Sequence, residues 1–139
     1  MNDPTRTEFN ASPYVGGASG HCVCENCRAW DHPRGEPRLM HWHQHRETRP
    51  ALSDRHVTFA NKLAERLKQR YPNKDYRVMM LCYGHSRPAP IKARPAEHVI
   101  MVSVANFFGR THLVDRGSTC GTTHRDLLAA WGKLALHVM

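Results

Sequence analysis

Apolar residues recur at helical spacing from Ala60 through Leu63, Ala64 and Leu67 to Tyr71, with Lys62, Glu65, Arg66, Lys68 and Gln69 between them. Ser53 is a good N-cap, Asp54 suits the positive end of a helix dipole, and Pro72-Asn73 stops the run. The pattern predicts a helix over 54–71. The following run, YRVMMLCY at 76–83, is short, almost wholly apolar after Arg77 and bounded by turn signals. That predicts a strand buried on both faces, as in a parallel sheet. The Pro-stiffened GHSRPAP at 84–90 is a loop that cannot extend it. Val99–Val104, VIMVSV, is a second run of the same kind. After a Gly- and Thr-rich segment, Leu127, Leu128, Trp131, Leu134, Ala135 and Val138 mark a second amphipathic helix.

The first 52 residues have no such period. Residues 1–20 are rich in Pro, Gly, Ser and Asn and read as loop, with at most a short strand near Glu8–Ser12. Residues 21–52 hold a cysteine cluster, then Pro33, Gly35 and Pro37, then the histidine-rich MHWHQHRETRP. The chain thus divides into an irregular Cys/His-rich region, 1–52, and an α/β part, 53–139. The last apolar stripe runs to Met139, and the predicted strands would leave unpaired edges. The expectation is a segment of a larger α/β domain.

Composition changes the picture only modestly. A length of 139 residues suits one domain, and 40% hydrophobic content supports a core and excludes wholesale disorder. The net charge of +8 permits an anionic partner, but Lys and Arg are spread along the chain, which favours an ordinary basic surface over a nucleic-acid footprint. No apolar run reaches the ~18 residues of a membrane span, and the polar start MNDPTRTEFNASPY shows no signal-peptide core.

Five cysteines, Cys22, Cys24, Cys27, Cys82 and Cys120, exclude a fully paired disulfide framework within one chain. Cys22, Cys24 and Cys27 can supply three thiolates to a structural zinc. The fourth ligand would come from His21, Cys82, Cys120 or one of His41, His43 and His45. The alternative is a loop brace of bare thiols or a Cys22–Cys27 or Cys24–Cys27 disulfide in an exported protein. Redox catalysis is disfavoured, because no C-x-x-C at a predicted helix start lowers a thiol pKa. His41, His43 and His45 alternate around Trp42 and share a face if extended, but read as a solvated insertion with local histidine bias. Tyr83, His85 and Arg87 close a buried strand, where Tyr offers a flat face and a hydroxyl and Arg a fork for a carboxylate. STCGTT at 118–123 lacks the Lys and spacing of a P-loop and reads as loop.

The ordered set FNASPYVGGASGHCVCENCRAWD, SDRHVTFANKLAERLKQRYPNK, YRVMMLCYGHSRPAP and AEHVIMVSVA resembles the domain-of-unknown-function family 4838, described as alpha-glucuronidase-like and found in large bacterial carbohydrate-related proteins. The resemblance spans roughly residues 8–138 and is most specific in 16–31 and 53–90. It implies a (β/α)8 TIM barrel, of which this chain would be a segment with few parallel strands and flanking helices, because a barrel needs ~250 residues. It also implies a carbohydrate partner and an exported full-length protein. Ligand contacts on such barrels lie on loops after the strands. That places the 13–31 loop, with Tyr14, beside Tyr83, His85 and Arg87. The family pattern has an Asn-Asp pair before the Gly-Gly turn, where this chain has Tyr14-Val15, so a carboxylate is missing from that loop. Glycoside hydrolysis needs two carboxyl groups flanking the bond, and neither is identifiable in this sequence. The competing reading is a small zinc-binding basic module that contacts nucleic acid. The scattered charge and the lack of a second ligand pair at finger spacing count against it.

Overall fold

The computed structural model describes residues 5–12, 21–35, 38–42, 45–49, 51–104 and 119–134. Glu8–Asn10 forms the first strand, β1, and Glu25–Arg28 a one-turn helix, α1. Arg38–Trp42 (β2) and His45–Arg49 (β3) pair antiparallel, with His41 opposite Arg46 and Trp42 opposite His45. This hairpin lies inside the region that carries no sequence period. Its strands, RLMHW and HRETR, are mostly polar, so no apolar alternation announces them.

Helix α2 covers Ser53–Arg70. The predicted helix is thus found, shifted by one residue at each end. Its N-cap is Leu52 rather than Ser53, and Ser53 is the first helical residue, with its hydroxyl directed elsewhere. Val57, Ala60 and Ala64 are buried at helical spacing, with Leu63 and Leu67 packed beside them. The Tyr71 N–H donates to the Leu67 carbonyl at 2.9 Å, closing the last turn before Pro72.

Strand β4 is Arg77–Cys82, a short 3-10 turn covers Gly84–Ser86, and β5 is Val99–Ser103. The sheet order is β1-β4-β5, and both pairings are parallel: Phe9 opposes Val78, and Met80 opposes Met101. The expected double-sided burial holds in part. Val78, Met80 and Cys82 are buried, whereas Met79 and Leu81 on the opposite face are half-buried. Val99, Ile100 and Met101 are buried in succession, so β5 is covered on both faces where it begins. The buried side chains of α2, β4 and β5 meet Trp131 of the last helix, α3, in one apolar cluster.

Helix α3 covers Thr119–Gly132. It begins within the run read from sequence as an ordinary loop, which is corrected here: 119–123 are helical, although Gly121 and three threonines carry no apolar period. Positions 135–139, where the apolar stripe was expected to continue, lie outside the described residues. Three parallel strands with helices establish the α/β class; they do not make a barrel.

Candidate functional site

The first residues of α2 are polar yet buried, and each holds a different piece of loop. Leu52 N–H donates to the His85 carbonyl at 2.8 Å. Ser53 Oγ donates to the Pro88 carbonyl. The Asp54 carboxylate accepts from the backbone N–H groups of Ile91, Lys92 and Ala93 at 2.9, 2.8 and 2.7 Å. Arg55 Nε donates to Asp31 Oδ1 at 2.7 Å, its Nη2 reaches Asp31 Oδ2, and its Nη1 donates to the Cys22 carbonyl at 2.7 Å. These bonds are charge-assisted or replace water on buried groups, which explains how three consecutive polar residues sit in an otherwise apolar setting. Lys62, two turns further along, lies over the Trp30 ring at 5.5 Å.

The result is a convergence at the carboxyl end of β4. The 21–31 segment and the 83–93 segment, far apart in sequence, both dock on the start of α2. The His21 and His85 rings meet with centroids 5.4 Å apart. Tyr83, His85 and Arg87 are all half-buried here. Burial raises the Tyr83 hydroxyl above its ordinary pKa of 10.0. Gly84 makes the turn possible, since its φ of 56° lies in the left-handed region. Ser86 Oγ then reaches back to the Leu81 carbonyl at 2.9 Å, and Trp131 Nε1 donates to the Arg87 carbonyl at 3.0 Å. Tyr14, the other residue expected at this face, lies outside the described residues.

His56, next to Arg55 on α2, extends the histidine group. Burial, reinforced by the charges of Arg55, His85 and His21 and opposed by Asp31, pushes it down to about 4. Its Nδ1 is buried without a hydrogen-bond partner among the described residues. Neither His56 nor the Arg55–Asp31 pair was singled out from sequence. The available signal was the Ser-Asp-Arg-His run opening a helix, which reads locally as a cap and as dipole complementarity and not as three buried loop anchors beside a half-buried histidine.

The four described cysteine side chains separate into two kinds; that of Cys120 lies outside the described residues. Cys82 is buried in the core, and burial pushes its thiol up to about 12, so it is an inert apolar residue and not a ligand. Cys22, Cys24 and Cys27 are free thiols whose Sγ atoms all lie within 4.8 Å of one another, with Cys22 and Cys24 at 3.4 Å. Cys24 sits at the N-cap of α1 and Cys27 one turn on, which is how they meet. Hydrogen bonds from the Cys27 backbone N–H and from the Cys22 and Cys27 thiols lower Cys24. Cys27, which shares its proton with Cys22 and Cys24, is pushed up to about 11. Three such thiols can hold a metal ion. His43 lies outside the described residues, and β2 and β3 place His41 and His45 on different strands of one hairpin.

Fold and site together define an α/β protein in which sequence-distant loops are gathered at the carboxyl end of a parallel sheet, beside a three-thiol cluster. The chain belongs to the family Domain of unknown function (DUF4838), whose model matches residues 3–139, essentially its whole length. No curated protein and no solved structure matches it. No helix among the described residues is long and apolar enough to cross a membrane.

Proposed function

We propose that this chain supplies part of the carbohydrate-binding face of a glycoside-hydrolase-like barrel protein. The observation that carries the reading is the docking of the 21–31 and 83–93 segments on Leu52–Arg55, which gathers Tyr83, His85 and Arg87 at the carboxyl end of a parallel strand. Ligands of parallel α/β sheets sit at that end, on the loops beyond the strands. Tyr83 offers a ring face for a sugar, and Arg87 a planar fork for the carboxylate of a uronic acid.

The reading is one of binding. Among the described residues, the carboxylates of Asp31 and Asp54 at this end are engaged by Arg55 and by three backbone amides, so neither serves as a general acid. A catalytic carboxyl pair would come from elsewhere in the barrel.

The test is titration of the chain with uronic-acid-containing and neutral oligosaccharides, followed by calorimetry. Arg87→Ala should weaken the acidic ligands by about tenfold or more, the scale of one charge-assisted hydrogen bond, and leave the neutral ones nearly unchanged. Equal losses for both would remove the carboxylate role of Arg87. Binding of neither class by the unaltered chain would remove the proposal.

A further inference from the structure

The segment from Cys22 to Asp31 is held in an unusual way. None of the residues of α1 is buried, so apolar packing does not fix it. Arg55 pins its two ends, at the Cys22 carbonyl and the Asp31 carboxylate. Between those ends the backbone bonds found among the described residues are short-range, such as Arg28 N–H to Cys24 O at 3.0 Å and Trp30 N–H to Cys27 O at 3.2 Å. A stretch without a core of its own ordinarily relies on a disulfide or a metal ion. The three thiols converge here, and an odd number of sulfurs cannot all be consumed by disulfides among themselves.

Their spacing suits a metal. Sulfurs on a tetrahedral zinc, each at about 2.3 Å from the ion, stand about 3.8 Å apart. Cys22 and Cys24 stand 3.4 Å apart, and all three sulfurs lie within 4.8 Å of one another, close to that spacing. Zinc bound by three thiolates carries a net negative charge, and the Arg55 guanidinium, which it would share with Asp31, is bonded to the Cys22 carbonyl beside it. Among the described residues no further His, Cys, Asp or Glu joins the group. Cys82 is in the core, and the His21 ring packs against His85.

We propose that Cys22, Cys24 and Cys27 bind one zinc ion through three thiolates, with the fourth coordination position taken by water or another small exogenous donor. Binding displaces the thiol protons and ties Cys22 to Cys27 across α1. The ion and Arg55 then act on the same ten-residue stretch, one within it and one at its ends. The site stands independently of sugar binding, and its test is read without any sugar.

The experiment uses the whole chain, reduced with a phosphine, stripped of metal and titrated with Zn(II), with Co(II) as the spectroscopic probe. One ion per chain, sulfur-to-cobalt charge-transfer absorption, and X-ray absorption showing three sulfurs and one light donor without imidazole scattering are expected. Cys24→Ser should weaken zinc by more than the ~10–100-fold that loss of an outer-shell partner brings, while Glu25→Gln leaves affinity unchanged. Should Cys24→Ser fail to fold, alkylation of the unaltered chain gives the same information: zinc should protect Cys22, Cys24 and Cys27 together. Absence of binding, a disulfide among these cysteines that persists with zinc present, or a fourth protein ligand would each overturn the proposal.

Discussion

Arg55 and Asp31, 24 positions apart, meet side-on, with Nε and Nη2 of the guanidinium facing both carboxylate oxygens. Arg55 is buried and Asp31 is about a quarter exposed, at 24%. Removing one partner therefore leaves a buried charge, whereas removing both does not. Arg55→Met should cost about 2–3 kcal/mol, below the ~3–5 of a fully buried pair because solvent reaches Asp31. Arg55→Met combined with Asp31→Leu should recover part of that loss. Urea unfolding of the single and double variants measures the coupling. Additive losses would show that the pair contributes nothing beyond its separate residues.

Asp54 should control the 91–93 turn alone. Asp54→Ala strands three backbone N–H groups, at a cost of about 2–4 kcal/mol. The amides of Ile91, Lys92 and Ala93 should exchange faster with solvent, while those of β4 and β5 keep their protection. Uniformly faster exchange would mean that Asp54 supports the whole fold and not this turn.

His56 gives the chain an acid limb. Its folded value of about 4 lies below its ordinary 6.5, so the unfolded chain takes up the proton first as pH falls. The contribution is fully present above pH 6.5 and is lost progressively between 6.5 and 4, amounting to about 3 kcal/mol. His56→Leu should flatten that part of the stability profile. An unchanged slope between the same pH values would show that His56 is not its source.

Trp131 ties α3 to the loop after β4. It is wholly buried, and its indole N–H donates to the Arg87 carbonyl at 3.0 Å. Trp131→Phe keeps an aromatic ring and removes the donor, and should cost about 1–3 kcal/mol. Trp131→Ala adds a cavity and should cost about 3–5 kcal/mol. Denaturant midpoints separate the two effects. A negligible loss for Trp131→Phe would mean that the hydrogen bond is immaterial.

The parts of this architecture that were legible in the sequence are those with an internal period or an unbroken apolar run. Ala60, Leu63, Ala64 and Leu67 on α2, and the VMMLC and VIMV runs of β4 and β5, declare themselves within a few residues. The β2–β3 hairpin and the start of α3 do not, because HRETR and TCGTT carry neither period. The cysteine cluster was visible because its members lie within six residues of one another. The anchors that position it were not. Arg55 to Asp31 and Asp54 to Ala93 are contacts across 24 and 39 positions, and nothing in a local window links them. The meeting of His21 with His85 depends on those same anchors, so it too was hidden.

The order of the sheet carries a consequence for how the chain assembles. Val78 finds Val99 after a short excursion, whereas Glu8 finds Arg77 across more than three times that sequence distance. Loop closure makes the longer pairing about 1 kcal/mol more costly in entropy. The three-residue β1 offers little contact area in return. This predicts nucleation on α2, β4 and β5, with β1 recruited last. On that order the 21–31 segment, pinned at both ends by Arg55 of α2, takes its shape with the nucleus and does not wait for β1.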